Sequence, residues 1–341
     1  MALSKFVGLV HIIWFFLKIY TFGFAALVRQ FLQRHRIQEL HLRNGKLAVV
    51  TGGTSGIGFY VSLGLVSKNV HVVIGGRNIQ EGKEAIEKIR QEYPNAKVDF
   101  LHLNLASLKS VQDFVENIKA RCSNVHILVN NAGVMFASYE ETADSLESHF
   151  QVNYLGHLYL TQSLMEILKI SGTDEFYSRI INVSSIVHNI GSLNLQNFEG
   201  RCLPWWEYSP HAAYANSKLY ITLASWCLSK QLKHENGRVT VNALHPGIVD
   251  TPLYRHVHWS IKWFLNCLAS YTYLTPLEGA DTVLYMALSS NVERETGVYY
   301  DNCKQQKTCQ LSYSDDVIKK MYNISTDIIS SRVECKKSFK K

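Results

Sequence analysis

The chain lacks the cysteine pattern of a zinc, redox or disulfide-stabilised protein. Its 341 residues include seven cysteines, an odd number, and no two of them form a C-x-x-C pair. This usage favours reduced thiols in a reducing compartment, with a Cys303–Cys309 bridge as the alternative. His245, His256 and His258 have no acidic or cysteine neighbours at metal-ligand spacing. We therefore predict no metal site.

Basic stripes interleaved with aromatic residues, internal repeats and low-complexity linkers are also missing. The formal net charge is +7, and the basic residues are spread along the chain except at positions 29–43 and at the lysine-rich C-terminus. We therefore expect no nucleic-acid binding. The two clusters suit an anionic membrane surface, and a plain solvated surface is the alternative.

One long apolar run occupies residues 6–28, which include His11 and Lys18. At about 1.5 Å per residue, a helix of this length could cross a hydrocarbon layer of about 30 Å. Three interpretations follow from it. The first is a membrane anchor that spans the bilayer or lies in its interface. The second is a signal peptide cleaved near Gly23-Phe24-Ala25, which would make the protein secreted. The third is a buried core helix.

The charges that flank this run bear on its orientation. Lys5 precedes it, whereas Arg29, Arg34, Arg36 and Arg43 follow it. If the run spans a membrane, the excess of positive charge after it predicts that the folded domain lies in the cytosol.

From Lys46 onward, short apolar runs alternate with segments of helical periodicity. The runs are rich in Val, Ile and Leu, which is typical of strands buried on both faces of a parallel sheet. They cover residues 47–50, 70–74, 98–103, 127–129, 180–183 and 239–244, and the helical segments cover 79–93, 108–120, 145–170 and 214–235. Such alternation demands right-handed crossovers and a doubly wound α/β fold.

A glycine-rich turn follows the first apolar run and opens a predicted helix. Its spacing is Gly-x-x-x-Gly-x-Gly, formed by Gly52, Gly56 and Gly58 around Ser55 and Ile57. Glycines let the chain turn, and free N–H groups at a helix start attract a phosphate. No Gly-Lys-Ser/Thr sequence ends the turn, so a nucleoside-triphosphate loop is not indicated. We predict a dinucleotide pyrophosphate site here, with a turn that binds nothing as the alternative.

The end of the second apolar run bears on cofactor choice. Dinucleotide folds often carry an acidic residue here for the ribose 2′-hydroxyl, whereas an arginine accommodates a 2′-phosphate. This chain has no acid at the position and offers Arg77. A guanidinium and a phosphate form a strong charge-assisted pair. The sequence therefore favours NADP(H) over NAD(H), unless Arg77 is only a solvated surface residue.

A phenol and an ammonium group lie four residues apart, in Tyr214-Ala215-Asn216-Ser217-Lys218. On a helix they share one face. An adjacent ammonium group favours the phenolate, so we expect Lys218 to lower the pKa of Tyr214 and make it a usable acid or base. Tyr-x-x-x-Lys alone is a weak signal. However, Asn182-Val183-Ser184-Ser185 precedes it at a predicted strand end, and His245-Pro246-Gly247 follows it.

In this order, these motifs resemble the short-chain dehydrogenase/reductase family over about residues 44–300. The resemblance implies that Tyr214 is the catalytic acid/base and that Lys218 holds the nicotinamide ribose and lowers the pKa of the phenol. It also implies that Ser185 orients the substrate carbonyl and that Asn153 positions a water in a proton relay. Thr251 would cover the nicotinamide.

The resemblance extends to the adenine side of the cofactor. Asn131 and the 130–133 turn would brace it. Asn104 stands where the family often has aspartate, and a neutral amide can still hydrogen-bond adenine. The implied fold is a Rossmann-type doubly wound seven-stranded parallel sheet, in a single domain with an N-terminal hydrophobic helix. We expect an anchor and basic linker over 1–43, this domain over 44–310, and a C-terminal tail over 311–341.

Within the family, the chain is most similar to the membrane-associated, retinol-dehydrogenase-like branch. This implies an oxidoreductase for a lipophilic alcohol or aldehyde of the polyprenol/dolichol kind, with retinoid or steroid substrates as alternatives. A nucleotide-binding scaffold without turnover is a further alternative. The branch also implies attachment to endoplasmic reticulum or lipid droplet, and the family often forms homodimers through the helices after the fourth and fifth strands. The aromatic segment 254–274 would form a substrate lid, or else helices packed on the sheet.

Overall fold

The short apolar runs form one central sheet. The computed structural model describes residues 2–33, 40–200, 206–235, 237–251, 253, 273–308 and 312–338. Its strands are β1 (Leu47–Thr51), β2 (His71–Gly76), β3 (Val98–His102), β4 (Ile127–Asn130), β5 (Ser178–Val183), β6 (Val239–His245), β7 (Tyr299–Asp301) and β8 (Lys304–Gln306).

The strand order is β3-β2-β1-β4-β5-β6-β7-β8, in which β1 to β7 run parallel. This confirms the doubly wound fold and its seven parallel strands. The sequence did not predict β8, which pairs with β7 in antiparallel orientation. Asn302 and Cys303 join these two strands with φ of 52° and 59°. Two successive positive φ values give a hairpin turn whose twist matches its strands.

Helices cover both faces of the sheet. They are α1 (Ala2–Leu32), α2 (Gly56–Val66), α3 (Ile79–Glu92), α4 (Leu108–Arg121), α5 (Gly156–Ser171), α6 (Pro210–His234), α7 (Pro276–Leu288) and α8 (Asp315–Ser338). A π-helical turn, Phe150–Leu155, leads into α5. The predicted helix boundaries agree to within a few residues, although α6 begins at Pro210 with Ser209 as its cap, four residues before the predicted start.

The central strands supply two hydrophobic cores because successive side chains point to opposite faces. In β1, Leu47 and Val49 pack with α4, α5, α6 and α8 on one face. Ala48 and Val50 pack with α2 and α7 on the other. All four side chains are buried, as expected for a sheet that is covered on both faces.

The C-terminal segment is a helix packed on the domain, whereas the sequence left its order open. Ile318 and Met321 are fully buried in the first core. The Ser325 and Tyr154 hydroxyls lie 2.7 Å apart, and Gln162 of α5 donates to Tyr322 at 3.3 Å. Helix α8 therefore packs on α6 and α4 and contacts the start of α5 through these hydrogen bonds.

Several predicted features fall partly outside the described residues. The segment 254–274 is described only at Tyr273 and Leu274, and Arg34 and Arg36 are not described. Cys309 also lies outside, whereas Cys303 is a free thiol. Arg29 pairs with Asp301 at 3.4 Å, so this basic residue contacts the folded domain.

Candidate active site

The carboxyl ends of the parallel strands open into one large cavity with a volume of about 480 Å³. Ligands of open α/β sheets bind at this edge. Every predicted site residue except Asn153 lines the cavity. They are Gly52, Ser55, Gly56, Ile57, Gly58, Arg77, Asn104, Asn131, Ser185, Tyr214, Lys218 and Thr251.

The glycine turn has the backbone that its sequence predicts. Gly52 and Gly56 have φ of 66° and 56°, a region that side chains other than glycine rarely adopt. A Cβ on Gly58 would lie 2.3 Å from the Gly52 carbonyl oxygen, so this approach requires glycine. Within the described structure, the Ser55 side chain makes no capping hydrogen bond to α2. The first N–H groups of α2 and the Ser55 hydroxyl can therefore bind a pyrophosphate.

A buried polar network fixes this turn to the end of β4. The Asn131 side chain donates to the Thr51 carbonyl at 2.9 Å, and the Thr51 hydroxyl accepts from the Asn131 and Ala132 amides at 2.9 and 3.0 Å. The Thr51 hydroxyl also lies 2.9 Å from Nε2 of His157. Burial lowers the pKa of His157 to about 4, so its imidazole is neutral at pH 7. Asn131 therefore joins the glycine turn to the segment after β4. No sequence pattern indicated His157 in this network.

Arg77 and Asn104 lie at the ends of β2 and β3. Arg77 is exposed at the rim of the cavity, beside Glu81. The Glu81 carboxylate accepts a hydrogen bond from Asn78 at 3.0 Å. The side-chain oxygen of Asn104 accepts a hydrogen bond from the Ala106 amide at 3.1 Å, so this oxygen already stabilises the turn after β3.

Asn153 lies behind the cavity wall, in the π-helical turn before α5. Its side-chain oxygen accepts from the Val134 amide at 2.8 Å, and its amide group donates to the Val134 carbonyl at 3.0 Å and to the Ser217 hydroxyl at 2.9 Å. A π-turn widens the helix, and such turns are frequent at functional sites. Asn153 thus joins the Val134 loop to the helix that carries Tyr214.

Tyr214, Ser185 and Lys218 come together in the cavity wall. The Ser185 hydroxyl hydrogen-bonds the phenol. The Lys218 ammonium donates to the Val183 carbonyl at 2.9 Å and lies 5.7 Å from the centre of the Tyr214 ring. Helix α6 sets the four-residue spacing of Tyr214 and Lys218, and the segment just after β5 supplies Ser185, so strand and helix together position the three side chains.

The expectation that Lys218 lowers the pKa of Tyr214 is wrong in this structure. Burial raises the pKa of Tyr214 to about 12, although the hydrogen bond with Ser185 partly opposes this. Burial also lowers the pKa of Lys218 to about 8. The sequence reveals the spacing of the two groups but not that both are fully buried. Tyr214 is therefore protonated at neutral pH and can donate its proton to a developing alkoxide.

The rest of the cavity wall is apolar, and sequence reasoning missed most of it. Met135 and Val187 are buried beside Tyr214, and Ile19 of α1 joins the same cluster. Phe136 lies 5.4 Å from the Tyr214 ring in an edge-to-face arrangement, and its φ of 55° is unusual for a bulky residue. An apolar wall around a few polar groups is typical of a small-molecule site.

A buried acidic cluster supports the Phe136 loop. Glu147 accepts from His149 Nδ1 at 2.7 Å and from the Tyr208 hydroxyl at 2.8 Å. Burial opposes its ionisation, but the hydrogen bonds from His149 and Phe150 outweigh burial and lower the pKa of Glu147. His149 Nε2 also lies 3.3 Å from the Ala137 amide. No sequence spacing indicates this cluster, because its members meet only through the fold.

Comparison with known proteins agrees with this geometry. Residues 46–198 match the model of the short chain dehydrogenase family. The chain is 40% identical over 322 residues to a polyprenol dehydrogenase of Danio rerio, covering 94% of this chain and 98% of that protein. It is 37% identical over 316 residues to the Homo sapiens polyprenol dehydrogenase, covering 92% and 94%. Retinol dehydrogenase 12 of Homo sapiens is 36% identical over 290 residues, covering 85% and 88%.

Solved structures share the fold. An uncharacterized protein from Mycobacterium Paratuberculosis superposes with a TM-score of 0.68 at 25% identity, covering 86% of this chain and 96% of that one. An L-sorbose reductase of Gluconobacter frateurii, solved with NADPH and L-sorbose, superposes with a TM-score of 0.60 at 21% identity, covering 77% and 97%. The chain therefore belongs to the short-chain dehydrogenase/reductase family and is an NAD(P)-dependent oxidoreductase that acts on CH–OH groups.

Proposed function

We propose that this protein transfers a hydride between NADP(H) and a long lipophilic alcohol/aldehyde pair of the polyprenol/polyprenal or dolichol/dolichal kind. The observation that carries this proposal is the shared cavity: the glycine turn, Ser185, Tyr214 and Lys218 line it together with apolar side chains. The 40% identity to a polyprenol dehydrogenase over almost the full chain supports the same substrate class. Retinoids and steroids are the alternatives, because retinol dehydrogenases are also relatives.

The preference for NADP(H) rests on Arg77. Its guanidinium lies at the cavity rim, where the second strand ends. There it can pair with a 2′-phosphate, and no acidic residue precedes it in β2. Glu81 at the same rim weakens the preference, so NAD(H) use is the alternative.

The catalytic roles follow from the positions of the side chains. When bound, the nicotinamide exchanges the hydride with the substrate. Ser185 orients the substrate oxygen by hydrogen bonding, and Tyr214 gives its proton to this oxygen or takes it back. Lys218 holds the ribose and supplies positive charge near the phenol. Asn153 keeps the Val134 loop and α6 in register, and a water near it would relay protons through Lys218.

The remaining cofactor roles are also proposals. Gly52, Ser55, Gly56, Ile57 and Gly58 cradle the pyrophosphate through backbone and hydroxyl groups. Asn104 and Asn131 contact the adenosine side. Thr251 lines the cavity after the Pro246-Gly247 turn, where it would cover the nicotinamide.

We also propose that the protein works on a membrane, at the endoplasmic reticulum or a lipid droplet, with its catalytic domain on the cytosolic side. Helix α1 is long and apolar enough for membrane association, by length and composition. Phe15 and Ile19 are buried in one cluster with Tyr214. Cleavage after Ala25 would remove these contacts from the cavity wall, which argues against a secreted form.

A panel of aldehydes tests the function. The full chain would be assayed with polyprenal, dolichal, retinal and a ketosteroid, each with NADPH and with NADH. We expect the highest kcat/KM with a polyprenoid aldehyde and NADPH. Turnover of retinal or the ketosteroid alone would contradict the substrate class, and a preference for NADH would contradict the role of Arg77.

A further inference from the structure

Helix α1 lies against the catalytic domain along its whole length. Near its start, the Lys5 ammonium lies 4.8 Å from the centre of the Trp206 ring. Near its end, the Gln30 side chain accepts from the Ile248 amide at 2.7 Å and donates to the Ile248 carbonyl at 3.2 Å. Arg29 adds the ion pair with Asp301. The helix is therefore bound to the fold at both ends.

These contacts are incompatible with a helix that crosses a bilayer. Lys5 and Arg29 are 24 residue steps apart, which corresponds to roughly 36 Å along a helix. The hydrocarbon core is about 30 Å thick. A spanning α1 would therefore pull polar parts of the catalytic domain into that core, where their hydrogen-bonding groups would lose water.

The face of α1 that points away from the domain is almost entirely apolar. Among the described residues, 15 large hydrophobic side chains are exposed, and 11 of them belong to α1. Seven follow the three- and four-residue spacing of one helix face: Phe6, Val10, Ile13, Leu17, Phe24, Val28 and Phe31. Thr21 lies on the same face, and its hydroxyl donates to the Leu17 carbonyl at 2.9 Å. We call these eight residues the outer face.

Charge on α1 indicates what covers the outer face. The helix contains no Asp or Glu, whereas Lys5 and Lys18 are basic and Arg29 is already paired with Asp301. Lys18 extends along the helix, with its ammonium 4.8 Å from the centre of the Trp14 ring. Basic helices that expose Trp, Phe and Leu bind anionic lipid surfaces, and the contacts at both ends of α1 keep the helix beside the domain. A protein partner would find few hydrogen-bonding groups here.

The inner face of α1 belongs to the cavity wall. Ile19, Tyr20, Gly23 and Leu27 line the cavity opposite the glycine turn. Gly23 is unusual because a Cβ placed on it would have no atom within 4 Å. Glycine inside a helix costs about 1 kcal/mol relative to alanine. Close packing does not explain this glycine, and the space beside it at the cavity wall is open.

We propose that α1 lies in the plane of an anionic membrane, with its outer face in the acyl boundary and its inner face as a wall of the substrate cavity. A lipid chain would then pass from the bilayer into the cavity beside Gly23. This route rests on the proposed function. The orientation of the helix does not, because it can be measured without turnover.

Vesicle flotation tests the orientation. The full chain would be mixed with phosphatidylcholine vesicles that contain phosphatidylserine, and compared with Ile13→Glu/Phe24→Glu. We expect the partition coefficient of the double variant to fall by roughly two orders of magnitude, since burying carboxylates among acyl chains is costly. Ile170→Glu is the matched control, because Ile170 is 74% exposed outside α1. Equal binding of the double variant, or an equal loss in the control, would overturn the proposal.

Tags at both ends of the wild-type chain give a second test that does not depend on any variant folding. With protease added outside sealed vesicles, an in-plane helix leaves both tags open to digestion. Protection of the N-terminal tag alone would show a spanning helix and overturn the proposal.

The access route is tested at Gly23. For Gly23→Leu, we expect the ratio of kcat/KM for a polyprenal to that for a short aldehyde to fall roughly tenfold, because the side chain fills the opening. Gly23→Ala should leave this ratio within about twofold, since one methyl group has open space there. An unchanged ratio in Gly23→Leu would exclude this route. Absence of polyprenal turnover in the wild type would instead contradict the proposed function.

Discussion

Lys218 should make the stability of the protein depend on pH in a predictable direction. Its pKa falls from 10.5 to about 8 because burial disfavours the charged form. Below about pH 8 both folded and unfolded chains hold the proton, and the folded state bears the cost of burying it. As pH rises above 8, the folded chain releases this proton before the unfolded chain does. The free energy of unfolding should therefore rise with pH.

The size of this effect follows from the pKa values. The fall from 10.5 to about 8 corresponds to ~3 kcal/mol, most of which should be recovered between about pH 7 and 10. Measurements should stop near pH 10, because the raised pKa of Tyr214 then begins to lower stability.

Urea unfolding at a series of pH values, followed by tryptophan fluorescence, measures this dependence. The unfolding free energy of the wild type minus that of Lys218→Met should increase by ~2–3 kcal/mol across the range. Lys233→Met is the control for loss of a charge, since Lys233 is exposed on the same helix. A difference between wild type and Lys218→Met that stays constant from pH 7 to 10 would refute the burial argument.

Three further predictions concern the cavity and the side chains that support it. Arg77→Ala should weaken NADPH binding by roughly 10- to 100-fold and NADH binding far less, as measured by titration. Lys83→Ala, which removes a charge outside the cavity, is the control. Equal losses of affinity for NADPH and NADH would contradict the contact between Arg77 and the 2′-phosphate. Asn153→Ala should lower the free energy of unfolding by about 2–4 kcal/mol in urea, because it leaves the Val134 amide and carbonyl without their partner; a loss below about 0.5 kcal/mol would show that the loop does not depend on it. Glu147→Gln should cost about 1.5–3 kcal/mol in the same assay, because the charged acceptor of Tyr208 and His149 is lost; wild-type stability would contradict its anchoring role.

Local signals allowed the fold and much of the cavity to be predicted. Strands β1 to β6 are short apolar runs, and each was predicted within a few residues of its bounds. The glycine turn requires positive φ at Gly52 and Gly56, so its residue types carry the conformation. The Tyr-x-x-x-Lys spacing indicated a catalytic pair only in combination with the serines and the glycine turn that precede it. These features could be predicted because each depends on residues that are close together in the sequence.

Features that depend on distant contacts escaped prediction. The pKa of Tyr214 follows from burial by Met135, Val187 and α1, which come from three separate parts of the chain. The hydrophobicity of residues 6–28 predicted a membrane segment but did not separate the inner face from the outer face. Buried positions Phe15, Ile19 and Leu27 recur at four- and eight-residue spacing, which is the one signal that could have indicated packing on the domain.

The central claim is that the Tyr214 phenol transfers the proton that accompanies the hydride. Single-turnover oxidation of NADPH with the best aldehyde of the panel measures this step directly. Tyr214→Phe should reduce its rate by about 10²–10⁴-fold, the usual contribution of a general acid, while cofactor binding persists. Tyr220→Phe, a buried tyrosine on the same helix outside the cavity, should keep a rate within about twofold of wild type. A Tyr214→Phe variant that reacts at the wild-type rate would contradict the account.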